Sequence, residues 1–338
     1  MLQNKKRIAA FFVLIAIFIF TITFPLPYYI YKPGTADPLD PVVNIDGRYD
    51  SVGELHLVTV RGGRATPLQY LLGAIRPYHD IERLEEVFPE GYSREEYLQA
   101  QLRLMENSQE ASTVVAYQAA EQSIDITYRG VYVVSVIPGM PAEEVLEIGD
   151  KIIAVDNQEV TDADNLIEIV NQKEAGDQIL LSIEREDDHL DKYIELIAFP
   201  NNPEQVGIGI QLVTNREVNV EPSIEFSSGN IGGPSAGLML ALEIYDQLTE
   251  EDVTRGYQIA GTGEVTYQGD VLRIGGVDKK VVAAHNAGMD IFFVPFENDA
   301  PNSNYRLARE TAEAIGTPME IVAVDTFDDA LDYLASLE

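Results

Sequence analysis

A serine and a lysine lie in two glycine-rich segments of the C-terminal third of the chain. Ser235 stands in the segment GGPSAG at 232–237, and Lys280 follows the segment GGVDK at 275–279. Small residues such as Gly233 and Ala236 let a substrate backbone approach the serine closely. An apolar helix is predicted from about Leu238, and the N–H groups at its start could stabilise an oxyanion. The pattern indicates acyl transfer with a serine nucleophile.

A serine hydroxyl needs a base, and histidine is the usual one. Only one of the four histidines, His285, follows Ser235 in the chain. An esterase with the order serine, acid, histidine would have to use His285 with Asp270 or Asp278. The upstream donor loop of that class is absent from the sequence, which disfavours the esterase interpretation.

Lysine is the other candidate base. On a helix that begins near Val277, Lys280 borders the apolar face formed with Val281 and Ala284, whereas Lys279 points to the opposite side. Burial of an ammonium group lowers its pKa, so Lys280 could be neutral near pH 7 and accept the serine proton. A reaction of this kind needs no metal and no cofactor.

Four segments in this order resemble the landmarks of the Lon-type protease domain (peptidase family S16). They are GPSAG at 233–237, TGEVT at 262–266, GG at 275–276 with Lys280, and PFEN at 295–298. The resemblance implies that Ser235 is the nucleophile, that Lys280 is the general base and that Thr262 orients the amine. One position departs from the family, because ATP-dependent members usually carry an acidic residue where Gly232 stands.

The central part of the chain resembles a PDZ domain of the kind found in exported bacterial proteases. Its pattern comprises an apolar strand at 131–136, a Pro-Gly turn, the segment LEIGDKIIAV at 146–155, an amphipathic helix and an alternating strand at 178–184. PDZ domains bind an extended peptide as an added strand. By this resemblance, the peptide-binding residues would be Arg129, Gly130, Val131 and Tyr132, and the competing interpretation is a spacer domain.

The elements around these modules predict an α+β fold in which the β-rich PDZ domain is inserted into a Lon-type protease domain. The predicted segments are an N-terminal part of the protease domain at 44–122, the PDZ domain at 123–200 and the proteolytic domain with the serine-lysine pair at 201–338.

The N-terminus contains an apolar run at 8–26 that is preceded by three basic residues, Lys5, Lys6 and Arg7. This pattern predicts a short cytoplasmic tail at 1–7, one transmembrane helix and an extracytoplasmic remainder. A cleavable signal peptide is the alternative.

The composition limits the partners of the chain. A net charge of −33 disfavours nucleic acid, and no Gly-Lys-Ser or Gly-Lys-Thr segment suggests a nucleotide site. The sequence therefore predicts a membrane-anchored, ATP-independent serine endopeptidase that cleaves peptides or proteins outside the cytoplasm. The alternative is a non-catalytic tether that binds peptides through the PDZ domain.

Overall fold

The chain forms two compact units. The computed structural model describes residues 2–88, 94–185, 188–200, 202–229 and 231–337. Unit 1 contains the chain up to Ser123 and again from Val220 onwards, and unit 2 is the intervening segment Ile124–Asn219. Unit 2 thus ends beyond residue 200, the boundary that the sequence predicted for the PDZ domain.

The elements follow one another in three stretches of the chain. The first stretch contains α1 (Leu2–Thr23), β1 (Tyr28–Pro38), β2 (Val43–Ile45), β3 (Glu54–Arg64), α2 (Pro67–Gly73), β4 (Asp80–Arg83), α3 (Leu84–Val87) and α4 (Arg94–Ala119). The second contains β5 (Ser123–Val136), β6 (Lys151–Val155), β7 (Gln158–Glu159), α5 (Ala163–Asn171), β8 (Gln178–Arg185), β9 (Asp188–Glu195), β10 (Ile197–Phe199), β11 (Asn202–Gly207) and β12 (Ile210–Glu221). The third contains β13 (Ile224–Phe226), α6 (Gly237–Leu248), β14 (Gln258–Gly261), β15 (Glu264–Val265), β16 (Val271–Leu272), α7 (Val277–Ala287), β17 (Ile291–Pro295), α8 (Asn304–Ile315), β18 (Glu320–Val324) and α9 (Phe327–Ala335).

Unit 1 is built on a mixed sheet with the strand order β18-β17-β14-β3-β1-β4. The strands β3, β14, β17 and β18 are parallel, and β1 runs antiparallel to both β3 and β4. Strand β14 pairs with β3 only from Glu54 to Leu57, although β3 continues to Arg64. The edge of β3 beyond Leu57 is therefore open on the side of β14.

Helices cover both faces of this sheet, and β17 is accordingly apolar throughout. All five residues of β17 are buried. On one face, Val58 and Phe292 pack with Val277 of α7. On the other face, α6 approaches so closely that a side chain at Gly261 would collide with Met239. Packing from both sides fixes the ends of α6 and α7 relative to the sheet.

Unit 2 has a sheet with the order β12-β5-β6-β8-β9, to which β7 adds beside β6, and a separate pair β10-β11. Its own core contains fully buried residues such as Ile152, Ile179, Leu181 and Ile183. Helix α5 contributes Leu166 and Ile169 to this core. Strand β12 forms one edge of the sheet.

The predicted fold class holds in its coarser form, a mixed α/β structure with a protease-type unit and a PDZ-type unit. Strands β14, β17 and β18 alternate with α7 and α8, and parallel strands require such crossover helices. The α and β elements of unit 1 are therefore interleaved along the chain.

The prediction of a membrane anchor over 8–26, with an extracytoplasmic catalytic domain, is wrong. Among the described residues, no helix combines the length and apolar character needed to cross a membrane. Helix α1 ends at Thr23, so its part from residue 8 onwards would measure roughly 24 Å at ~1.5 Å per residue, which is short of a ~30 Å hydrocarbon core. The sequence prediction counted residues 24–26 in the span, but they lie beyond the helix.

Candidate active site

Ser235 lies in the tight turn that precedes α6. Gly233 in this turn has φ of 92°, a left-handed conformation that favours glycine. At Gly237, the first residue of α6, a side chain would come within 2.8 Å of Ser108 Oγ and of the Val265 backbone nitrogen. The turn therefore requires small residues, both for its conformation and for its close packing.

Helix α4 holds this turn with three hydrogen bonds. The N–H of Gly233 donates to the carbonyl of Gln101 (2.8 Å), Ser108 Oγ donates to the carbonyl of Pro234 (2.9 Å), and Ser112 Oγ donates to the carbonyl of Gly237 (2.8 Å). Sequence analysis missed these residues. The available signal was the spacing of Ser108 and Ser112, which places two small polar residues on one face of a helix.

The same helix leaves no room for a side chain at Gly232. A side chain there would approach the Cβ atom of Gln101 to 2.8 Å. The departure from the acidic residue of ATP-dependent Lon-type domains thus accompanies close packing of α4 against the serine turn.

The structure brings Ser235, Lys280 and Thr262 together. Lys280 Nζ donates to Ser235 Oγ at 2.7 Å and to Thr262 Oγ1 at 2.8 Å. Thr262 follows the end of β14, and its hydroxyl donates to the carbonyl of Ser235 (2.9 Å). The N–H of Gly263 donates to the same carbonyl (3.0 Å). The threonine thus contacts both the amine and the backbone of the serine.

Two adjacent lysines of α7 illustrate how the site controls charge. Lys279 and Lys280 are each only 3% exposed. Burial lowers the pKa of Lys280 to about 7. Burial acts in the same direction on Lys279, but hydrogen bonds to Asp80 and Asp278 outweigh it and raise the pKa of that group. Lys280 is therefore the amine that can lose its proton near neutral pH.

The backbone amides of the serine turn differ in whether they already have an acceptor. Gly233 N–H donates to Gln101, Gly237 N–H to Pro234 (3.1 Å) and Leu238 N–H to Gly263 (3.0 Å). Within the described residues, the N–H groups of Ser235 and Ala236 have no acceptor. Ala236, a predicted supporting residue, can thus contribute an oxyanion donor, while Gly233 serves the shape of the turn.

A groove of about 520 Å³ opens beside Ser235 and Lys280. It is lined by the open part of β3 from Leu57 to Arg61, by Gln101 and Met105 of α4, by 231–236, and by Glu264 and 273–275. His285 does not line this groove. It follows Lys280 by five residues on α7, or roughly 7.5 Å along the helix axis, which leaves the esterase interpretation without a base.

The predicted peptide-binding residues of unit 2 lie elsewhere than expected. Arg129, Gly130, Val131 and Tyr132 belong to β5, which is flanked by β12 and β6 and cannot accept a further strand. Arg129 pairs with Glu217, and Gly130 N–H donates to the carbonyl of Thr161. The apolar groove of this unit lies instead beside α5, lined by residues of α5, by 205–210 and by Leu212 of β12.

Comparison with known proteins identifies both units. The profile of the Lon protease (S16) C-terminal proteolytic domain matches residues 203–336, and the PDZ domain profile matches residues 102–196. The chain contains a Lon-type proteolytic domain and a PDZ domain. This homology supports a protease function, and it confirms the two resemblances seen in the sequence.

Several known proteins are similar to parts of this chain. Lon protease of Campylobacter concisus is 42% identical over 99 residues, which are 29% of this chain and 11% of that protein. Lon protease of Clostridioides difficile is 39% identical over 100 residues, which are 30% of this chain and 12% of that protein. The PDZ domain of an SdrC-like protein from Listeria monocytogenes is 33% identical, covers 26% of this chain and 93% of its own, and has a TM-score of 0.25. The chain therefore matches only a small part of its Lon protease relatives.

The PDZ profile and the structural unit have different boundaries. The profile match begins at residue 102, inside α4, and ends at residue 196, before β12. Helix α4 hydrogen-bonds to the serine turn of the Lon-type domain, and β12 pairs with β5 of the PDZ sheet. The hydrogen bonds therefore assign α4 to the Lon-type domain and β12 to the PDZ domain.

Replacement of Lys280 by methionine is expected to stabilise the protein. With a folded pKa of about 7 against an ordinary 10.5, the unfolded state binds a proton that the native state lacks between these pH values. Stability of the wild type therefore rises with pH across this window. Lys280→Met should gain roughly 4 kcal/mol at pH 7 and little near pH 10.5, measured by urea unfolding over that range.

The adjacent lysine provides the matched control. Lys279→Met removes a cation that is paired with Asp80 and Asp278, so it should destabilise the protein at pH 7. Equal effects of the two substitutions would show that Lys280 is not held as an unpaired buried amine.

Proposed function

We propose that this chain is a serine endopeptidase that acts without ATP, with Ser235 as nucleophile and Lys280 as general base. The observation that carries the proposal is the 2.7 Å contact between Lys280 Nζ and Ser235 Oγ, made by an amine that has no carboxylate partner in the described part of the chain. The neutral amine accepts the serine proton as Oγ attacks the scissile carbonyl. The absence of a Gly-Lys-Ser or Gly-Lys-Thr segment in the sequence supports independence from ATP.

The remaining groups of the site have matching roles in this proposal. The N–H groups of Ser235 and Ala236 stabilise the oxyanion. Thr262 Oγ1 fixes the position of the Lys280 amine by its hydrogen bond. Lys280 then gives its proton to the leaving amine and, in the second half of the reaction, activates water for hydrolysis of the acyl enzyme.

The open edge of β3 suggests how a substrate binds. Residues Val58–Arg61 line the groove, and β14 does not cover this part of the strand. An extended peptide can pair with this edge and present a carbonyl to Ser235. Such binding requires an unfolded or exposed segment of the substrate.

The PDZ domain supplies a second peptide site in the proposal. Strand β12 is a sheet edge, and α5 lies across an apolar groove from it, the arrangement in which an added strand can bind. Peptide or protein segments held there would have a raised effective concentration at the protease site.

The dyad is tested by cleavage of an unstructured protein in the absence of nucleotide. Ser235→Ala and Lys280→Ala should each reduce kcat/KM by about a thousandfold or more. Since the base must be neutral, wild-type kcat/KM should rise as the pH passes about 7 and then level off. Lys280→Arg should be inactive over the same range, because a guanidinium keeps its proton.

Controls separate the alternatives. His285→Ala should retain full activity, and its loss of activity would revive the esterase mechanism. Undiminished cleavage by both Ser235→Ala and Lys280→Ala would refute the dyad. Binding without any cleavage by the wild type would favour the peptide-binding tether.

The recruiting role of the PDZ groove is tested by Ile167→Asp. Ile167 lines the groove and is 47% exposed, so a charge there should block an apolar peptide without disturbing the core. Cleavage of a long unfolded protein at low concentration should fall about tenfold, whereas cleavage of a short peptide should not change. Ile148→Asp, at an exposed position outside the groove, is the control. Equal cleavage of the long substrate by both variants would contradict recruitment.

A further inference from the structure

The groove beside Ser235 carries positive charge although the protein is strongly acidic. The chain has 56 acidic and 23 basic residues, yet two arginines, Arg61 and Arg273, line the groove against a single carboxylate, Glu264, beside the Lys280 amine. Arg273 is partly neutralised by Glu297 at 3.3 Å. Arg61 has no such partner in the described ranges of the chain.

Arg61 also faces another cation. It lies opposite Lys32 in the antiparallel pairing of β1 with β3, so the two side chains share one face of the sheet. Among the described residues, neither Arg61 nor Lys32 has a carboxylate within ion-pair distance. Like charges directly opposite each other destabilise a sheet, and an anion bound between them would remove that cost.

We infer that the site prefers peptide segments that carry an Asp or Glu side chain within a few residues of the scissile bond, with Arg61 as the specificity-determining residue. This inference rests on the proposed peptidase function. A peptide paired with the open edge of β3 would run alongside Val58–Arg61, which brings one of its side chains to the Arg61 guanidinium. Lys32 and Arg273 add to the positive potential at the same groove.

The chemistry of the cations fits a carboxylate. The planar guanidinium of Arg61 can donate two parallel hydrogen bonds to one carboxylate, a geometry that an amide side chain cannot match. Arg61 and Lys32 are solvent-exposed, so each pair contributes modestly and is screened by salt. Together they should favour an acidic peptide by about tenfold in kcat/KM at low ionic strength.

The test compares short peptides that differ only by Glu against Gln at each position around one cleavage site. Wild type should cleave the best-placed Glu peptide about tenfold more efficiently than its Gln counterpart, and added salt should reduce that ratio. Arg61→Gln should lose the preference while it still cleaves the Gln peptide. Arg309→Gln, which removes an exposed cation of α8 outside the groove, should keep it.

Reversal of the charge at Arg61 distinguishes a lost preference from a folding defect. Arg61→Glu should cleave a Lys peptide better than the Glu peptide, a gain that a damaged protein cannot produce. Equal cleavage of Glu and Gln peptides by wild type, or a preference that survives in Arg61→Gln, would overturn the inference while the peptidase stands. Failure of the wild type to cleave any peptide in a Ser235-dependent manner would overturn the proposed function and this inference with it.

Discussion

The Lys280 amine is buried and has no carboxylate partner among the residues that the structure describes, and the rest of the site depends on this constraint. A buried amine loses hydration, so its charged form is disfavoured and its pKa falls to about 7. The neighbouring Lys279 is buried to the same extent but keeps its charge, because Asp80 and Asp278 surround it. One helix turn thus carries a structural cation, which is held by two carboxylates, and an amine available for proton transfer.

That constraint explains the architecture around the serine. Lys280 reaches Ser235 because α6 and α7 pack on opposite faces of one sheet, and both helices begin near the end of β14. Thr262, just beyond that strand, donates a hydrogen bond to the Ser235 carbonyl and accepts one from the Lys280 amine. Helix α4 then fixes the serine turn through Ser108 and Ser112, whose hydroxyls donate hydrogen bonds to carbonyls of the turn. The amides of Ser235 and Ala236 are left for a substrate.

The sequence indicates which residues meet at the candidate site better than it indicates the elements around them. Ser235, Lys280 and Thr262 stand in short motifs with fixed spacing, and the structure brings the three together. The sequence placed the peptide-binding residues of the PDZ domain on β5, whereas β12 lies at the sheet edge. The local pattern does not show which strand is at an edge, because this depends on tertiary pairing. The role of α4 was missed for a similar reason, since its serines act on a turn more than 120 residues away. The membrane anchor was wrong because apolar composition alone does not fix where a helix ends.

The most direct test of this account is the pH dependence of covalent labelling of Ser235 by a fluorophosphonate, followed by mass spectrometry. Labelling needs only an activated serine, so it requires no knowledge of the natural substrate. The account predicts that the rate rises with a midpoint near pH 7 in the wild type, as Lys280 loses its proton, and stays low at every pH in Lys280→Met. A rate that is independent of pH, or equal labelling of the two proteins, would contradict it.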